Sequence, residues 1–151
     1  PRLVVVRTMS KAFSYAGARV GYVATSPEIV EAIQLVRLPY HLSTVTQAVA
    51  RVALRFSKQL QSQLALLRKE RDDLASWLKN QGFEVAPSGA NFLLFGTFGD
   101  RNQVWEQLVE QGVLIRQTGP SGWLRVSVGT PEENQAFKTA LIQVTTRTNG
   151  K

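Results

Sequence analysis

Arg7-Thr8-Met9-Ser10-Lys11, followed after a small-residue loop by Arg19-Val20-Gly21-Tyr22, is the stretch that decides how this 151-residue chain is read. The apolar run Leu3-Val4-Val5-Val6 leads into it and predicts a buried strand over residues 2–7, with no polar alternation. Lys11 follows in a loop. Thr8 and Ser10 precede it at the third and first positions, and Arg19 lies eight residues beyond. A lysine after a strand is ordinarily a surface charge. Here hydroxyls and a guanidinium gather round it, and these are the donors a phosphate monoester needs. A lysine amine among them can form a Schiff base with an aldehyde.

Outward from this stretch, Arg19 to Thr25 alternates and reads as a second strand. Ser26-Pro27-Glu28 starts a helix to about Val36, ending before Pro39, with Ser26 as N-cap and Pro27 at N1. Ser43 caps the next helix. Ser57 is expected to cap a third that reaches Asn80, with Leu60, Leu64, Leu67, Leu74 and Leu78 on one stripe and Gly82 as its stop. A smaller α+β module follows. Strands are expected at Phe83–Val85, Asn91–Phe95, Val113–Arg116 and Trp123–Val128, with a helix from Arg101 to Gln111 ended by Gly112. Thr130-Pro131-Glu132-Glu133 opens the last helix as a capping box, and residues 145–151 are expected to fray.

Composition narrows the function classes. An apolar share of 44% and a charged share of 19% describe an ordinary globular chain, and no apolar run reaches the roughly 20 residues of a membrane span. The absence of cysteine excludes disulfides and thiolate metal sites and accords with a cytoplasmic location. One histidine, His41, excludes a multi-histidine metal site within the chain. The net charge of +7 invites a nucleic-acid reading, but the cations are dispersed. Their one short cluster, Arg68-Lys69-Arg71, is followed at once by Asp72-Asp73, and no nucleic-acid motif accompanies it. Neither nucleic acid nor membrane is an expected partner. The charge fits a site for anionic ligands, or a piece whose acidic counterpart lies elsewhere.

Two further arginines carry chemistry. Arg116 and Arg125 fall in neighbouring predicted strands joined by the turn Gly119-Pro120-Ser121-Gly122. Planar guanidinium groups suit bidentate recognition of carboxylate and phosphate. Tyr40, His41 and Asn91 read as mainly structural, Tyr40 as a packed side chain and His41 as one bonded to backbone.

The segment Ser10-Lys11, seven residues, Arg19, any residue, Gly21 resembles the lysine segment of fold-type I pyridoxal-phosphate aminotransferases. Leu114-Ile115-Arg116 and Leu124-Arg125-Val126-Ser127-Val128-Gly129-Thr130 resemble motifs of the histidinol-phosphate aminotransferase family. The resemblance runs from about residue 2 to 142. It implies an α/β fold, the C-terminal part of a fold-type I transferase. Residues 1–42 would be the remnant of a large cofactor-binding domain, 43–82 an interdomain helical segment and 83–151 a small α+β domain. It implies pyridoxal 5'-phosphate as cofactor, with Lys11 as the Schiff-base lysine and proton carrier and Thr8, Ser10 and Arg19 on the cofactor phosphate. It assigns Arg116 to a substrate phosphate and Arg125 to a substrate α-carboxylate.

The implied reaction joins histidinol phosphate and 2-oxoglutarate to imidazole-acetol phosphate and glutamate, in histidine biosynthesis, by a cytoplasmic homodimer. An aromatic-amino-acid aminotransferase and a threonine-phosphate decarboxylase of the same fold are the near alternatives. A catalytically inert anion-binding fragment is the alternative of another class. The family's first half, with the groups that contact the cofactor ring, has no counterpart here. Weak cofactor binding, no activity, and residues 1–42 poorly ordered or packed on another chain are therefore the expectations for the isolated chain.

Overall fold

The computed structural model describes residues 3–148; Pro1, Arg2 and residues 149–151 lie outside the described residues, and with them the start of the predicted 2–7 strand and the end of the polar tail. The chain divides into two compact units, Pro1–Leu64 and Ala65–Lys151.

In the first unit, β1 (Val5–Thr8) and β2 (Gly21–Ala24) form an antiparallel ribbon in which Val5 faces Ala24 and Thr8 faces Gly21. The predicted second strand is shorter at its start, because Arg19 takes a left-handed conformation (φ 53°) after the 3-10 turn Ala16–Ala18. The ribbon is not buried as expected: Leu3 and Val6 are 67% and 68% exposed. A two-stranded ribbon has no neighbouring strands of its own, and none of the residues of β1 and β2 is buried. Helix α1 (Pro27–Val36) begins at Ser26-Pro27, but the Ser26 hydroxyl makes no capping bond. The Glu28 carboxyl is held below the usual glutamate pKa, first by the Ser26 side chain and then by its own backbone amide. Helix α2 (Thr44–Arg55) is capped as predicted, Ser43 Oγ accepting from the Thr46 amide at 3.1 Å. Ser57 is the first residue of α3 (Ser57–Asn80) and not its cap, since Phe56 is the single residue between the two helices. Tyr40, expected to be packed, is 97% exposed with φ 60°.

In the second unit, β3 (Glu84–Val85), β4 (Phe92–Gly96) and β5 (Leu124–Ser127) form an antiparallel sheet in that order, with α4 (Arg101–Glu110) and α5 (Pro131–Thr148) completing it. The strand period of two sends Leu93, Phe95, Leu124 and Val126 into one core with Leu74, Leu78, Val104, Leu108, Phe137, Leu141 and Val144. Phe95 is fully buried, edge-on to Phe83, Phe98 and Phe137 at centroid distances of 6.0, 5.6 and 5.6 Å. Gly82 and Gly112 end their helices as expected, and the structure shows both stops to be Schellman turns. Gly82 has φ 87°, and the Phe83 amide reaches back to Leu78 O at 3.1 Å. Gly112 has φ 78°, and the Val113 amide reaches Leu108 O at 2.9 Å. At α5, the Thr130 amide donates to Glu133 Oε2 (2.8 Å) and the Glu133 amide to Thr130 Oγ1 (3.3 Å), the expected capping box.

Two expectations fail here. Residues 113–116 do not form a strand; only an isolated bridge between Arg116 and Arg125 remains. The Val113 amide is spent on the Schellman turn, and the Ile115 carbonyl accepts the Trp105 indole N–H at 2.7 Å, so neither is left for a ladder. The helix also does not fray at residue 145. It runs to Thr148, with the Thr145 and Thr146 hydroxyls returning to Leu141 O and Ile142 O at 2.8 Å each.

Candidate functional site

The β1–β2 ladder continues past Thr8 and Gly21 through the Met9 amide, which donates to Val20 O at 3.1 Å. The next pair outward in that register is Ser10 and Arg19, so the ribbon brings both hydroxyls and the guanidinium to the end where the strands part. Thr8 Oγ1 donates to Ser10 Oγ (2.7 Å) and accepts from the Ser10 amide (3.0 Å). Arg19 Nη1 donates to Ala16 O at 3.0 Å. Met9, between the hydroxyls, is 5% exposed and anchors the loop. Lys11 sits exposed in the turn that follows, and its carbonyl accepts from the Ser14 amide at 3.1 Å. Gly21 has a steric reason: a Cβ there would run into the Arg7 carbonyl oxygen across the ribbon, so only glycine lets the strands close beneath the donors.

In the second unit, Arg116 and Arg125 exchange both backbone hydrogen bonds, at 3.0 and 2.9 Å. Residues paired in this way project to the same side of the sheet with Cα atoms about 5.5 Å apart. Leu124 and Val126 face the core, so Arg125 lies on the opposite face. There its guanidinium carbon stands 4.7 Å over the Phe92 ring, and its Nε is buried with no hydrogen-bond partner. Arg116 is exposed and makes no side-chain hydrogen bond or ion pair among the described residues. Two like charges side by side repel. The ion pairs among the described residues, Lys69–Asp73 and Arg71–Asp72, lie instead within the short basic cluster and leave Arg68 as its one cation without an ion pair.

The sequence reading missed Phe92, although its alternation with Leu93 and Phe95 signals the face opposite the core. It also missed Asn134, 3% exposed, whose side chain accepts from the Gly129 amide (3.0 Å) and donates to Gly129 O (3.2 Å) and Glu70 Oε2 (3.0 Å). That clamp fixes the end of the Leu124–Thr130 motif; it has no local signal, because Glu70 lies 64 residues away. His41 Nδ1 lies 2.8 Å from Leu38 O, the structural role expected of it. The Asn91 carbonyl accepts from the Val128 amide at 2.9 Å. Among the described residues no cluster of His, Cys, Asp and Glu could hold a metal ion, and no helix is long and apolar enough to cross a membrane.

The family model "Aminotransferase class I and II" matches residues 1–141. The chain belongs to that family. Among its relatives, a histidinol-phosphate aminotransferase of Thermobifida fusca is 60% identical over 147 residues, covering 97% of this chain and 40% of its own length. Histidinol-phosphate aminotransferase 3 of Burkholderia lata is 54% identical, covering 95% and 39%. The chain thus spans about 40% of the length of the curated relatives it matches. A solved structure of histidinol-phosphate aminotransferase from Sinorhizobium meliloti, in complex with pyridoxal-5'-phosphate, superposes with a TM-score of 0.81 at 25% identity, covering 95% of this chain and 41% of that one. An L-threonine-O-3-phosphate decarboxylase from Porphyromonas gingivalis superposes equally well, TM-score 0.81 at 23% identity, covering 95% and 47%. This likeness carries the fold alone: the chain has the α/β architecture of the C-terminal part of these enzymes.

Proposed function

We propose that this chain is the C-terminal part of a pyridoxal-phosphate-dependent histidinol-phosphate aminotransferase. The enzyme would transfer an amino group from histidinol phosphate to 2-oxoglutarate, yielding imidazole-acetol phosphate and glutamate, as a cytoplasmic homodimer. In this reading residues 1–42 belong to the large cofactor-binding domain, 43–82 to the interdomain helices and 83–151 to the small domain. The observation that carries it is the like-charged pair Arg116 and Arg125, unpaired with any acid among the described residues and oriented to one face. The relatives' names and their 54–60% identity support the same reading.

The donor set at the end of β1 fits a phosphate monoester. Thr8 and Ser10 bond each other and Arg19 bonds a backbone carbonyl, so none of the three is tied to a competing anion. When bound, pyridoxal phosphate supplies an electron-withdrawing ring that makes the substrate Cα–H acidic. Lys11 would have two tasks: its amine would hold the cofactor's aldehyde, and the same amine, once free, would be the base that takes the proton from the substrate Cα. Thr8, Ser10 and Arg19 hold the phosphate end. Arg116 takes the phosphate of histidinol phosphate. Arg125 takes the α-carboxylate of glutamate, a group that histidinol phosphate lacks, so Arg125 serves chiefly the glutamate half-reaction.

The decarboxylase likeness supports one rival, a phosphothreonine-type substrate that offers phosphate and carboxylate together. An inert anion-binding fragment is the rival of another class. Borohydride reduction of the full-length enzyme with pyridoxal phosphate, followed by peptide mapping, tests the central assignment: the adduct should fall on Lys11. Lys11→Ala should fold normally, since the side chain is exposed, and lose the adduct. A reduced adduct on a different lysine, or none, would refute the assignment. Comparing turnover of histidinol phosphate with that of phosphothreonine separates the two enzyme readings.

A further inference from the structure

Arg101 is the first residue of α4, at the positive end of the helix dipole, where a cation is disfavoured. The dipole is already served by Asp100, whose Oδ1 accepts from the Asn102 and Gln103 amides at 3.0 Å each. Arg101 is turned elsewhere. Its Nη1 is directed at three carbonyl oxygens of the loop between the two arginines: Pro120 at 3.0 Å, and Gly119 and Trp123 at 3.4 Å. Asn102 Oδ1 accepts from Gln117 Nε2 of the same loop at 3.2 Å. Two left-handed glycines, Gly119 (φ 115°) and Gly122 (φ 78°), shape that loop, and the Phe98 amide donates to Gly122 O at 2.8 Å.

The loop is all that joins Arg116 to Arg125 along the chain, and a single bridge pairs them. One bridge between like charges is a weak constraint: repulsion acts to part the two side chains, and no ladder on the 113–115 side resists it. We propose that Arg101 is a positioning residue for the substrate anions, holding the 117–123 loop so that Arg116 stays beside Arg125. This rests on the reading of that pair as the anion site.

Titration of the folded chain with inorganic phosphate, followed by the NMR signals of the Arg125 side chain and the loop amides, tests it. Arg116→Ala serves as the control that removes one of the two anion ligands. Arg101→Ala should weaken phosphate binding on the order of tenfold, the scale of a site loosened by its support. Arg101→Lys, which keeps a cation with three donors, should recover most of that loss, and unfolding temperatures measured alongside separate weakened binding from lost folding. Wild-type affinity in a folded Arg101→Ala chain, with Arg116→Ala reducing it, would overturn the positioning role and leave the anion site standing. No phosphate binding by the wild-type chain would overturn both. Should Arg101→Ala fail to fold, Arg101→Lys decides alone: affinity at least as tight as wild type with loop amide shifts unlike wild type would refute the proposal, and affinity that follows the return of those shifts toward wild type would support it.

Discussion

Replacing Arg125 by Met, which keeps length and apolar contact but removes the charge, should raise the stability of the second unit while weakening its anion site. Three contributions set the sign. The Arg125 Nε is buried without a partner, a burden of about 1–3 kcal/mol that the thioether does not carry. The repulsion from Arg116 across the bridge is removed, worth about 0.2–1 kcal/mol. Against these, the cation–π contact over Phe92 is lost, about 0.5–1 kcal/mol, with a methionine–ring contact partly replacing it. The net is a gain of about 0.2–3.5 kcal/mol, each 1 kcal/mol being worth roughly 4–8 °C in Tm for a unit of this size. Thermal unfolding of both proteins, with and without phosphate, measures it. Phosphate at ten times its Kd should stabilise the wild type by about 1.4 kcal/mol and Arg125→Met by less, since the variant keeps Arg116. A variant less stable than wild type by 1 kcal/mol or more, or one stabilised by phosphate as much as wild type, would refute the reasoning: Arg125 would then be a structural cation.

Phe95→Ala should cost about 3–5 kcal/mol in denaturant unfolding, because it empties the point where three other rings meet; a loss under about 1 kcal/mol would place the core elsewhere. Gly21→Ala should force the ribbon apart at Arg7, costing about 1–3 kcal/mol locally and speeding hydrogen exchange of the Met9 amide, which bonds to Val20; unchanged exchange would contradict the close approach. The Glu132 carboxyl is held below its ordinary pKa of 4.5 by its own backbone amide at the start of α5 and then by Thr130. A carboxyl so lowered stabilises the fold above its unfolded pKa and loses that effect as pH falls through the folded one. Glu132→Gln should therefore narrow the Tm difference between about pH 7 and pH 3.5, and an unaltered difference would exclude this source of acid sensitivity.

What sequence alone settled about this protein is what a few neighbouring residues can settle. Gly82 and Gly112 end their helices because only glycine reaches the left-handed turn cheaply there, and the Thr130–Glu133 box closes within a single turn of α5. The lysine loop was legible for the same reason: its hydroxyls, amine and arginine all lie within twelve residues, between 8 and 19. Tertiary structure decided whatever depends on a distant partner. The run Leu3–Val6 reads as buried, yet its strand is exposed in this unit, because burial belongs to what covers a strand and not to its composition. The expected strand at 113–116 failed because the Trp105 indole, ten residues from Ile115 and on another element, claims a carbonyl that a ladder needs. The pairing of Arg116 with Arg125 on one face, the ring beneath Arg125 and the strap from Arg101 all follow from register across the sheet. Register is a long-range quantity: shifting it by one residue would send both guanidinium groups to the core side, and only the packing of Leu124 and Val126 against that core forbids it.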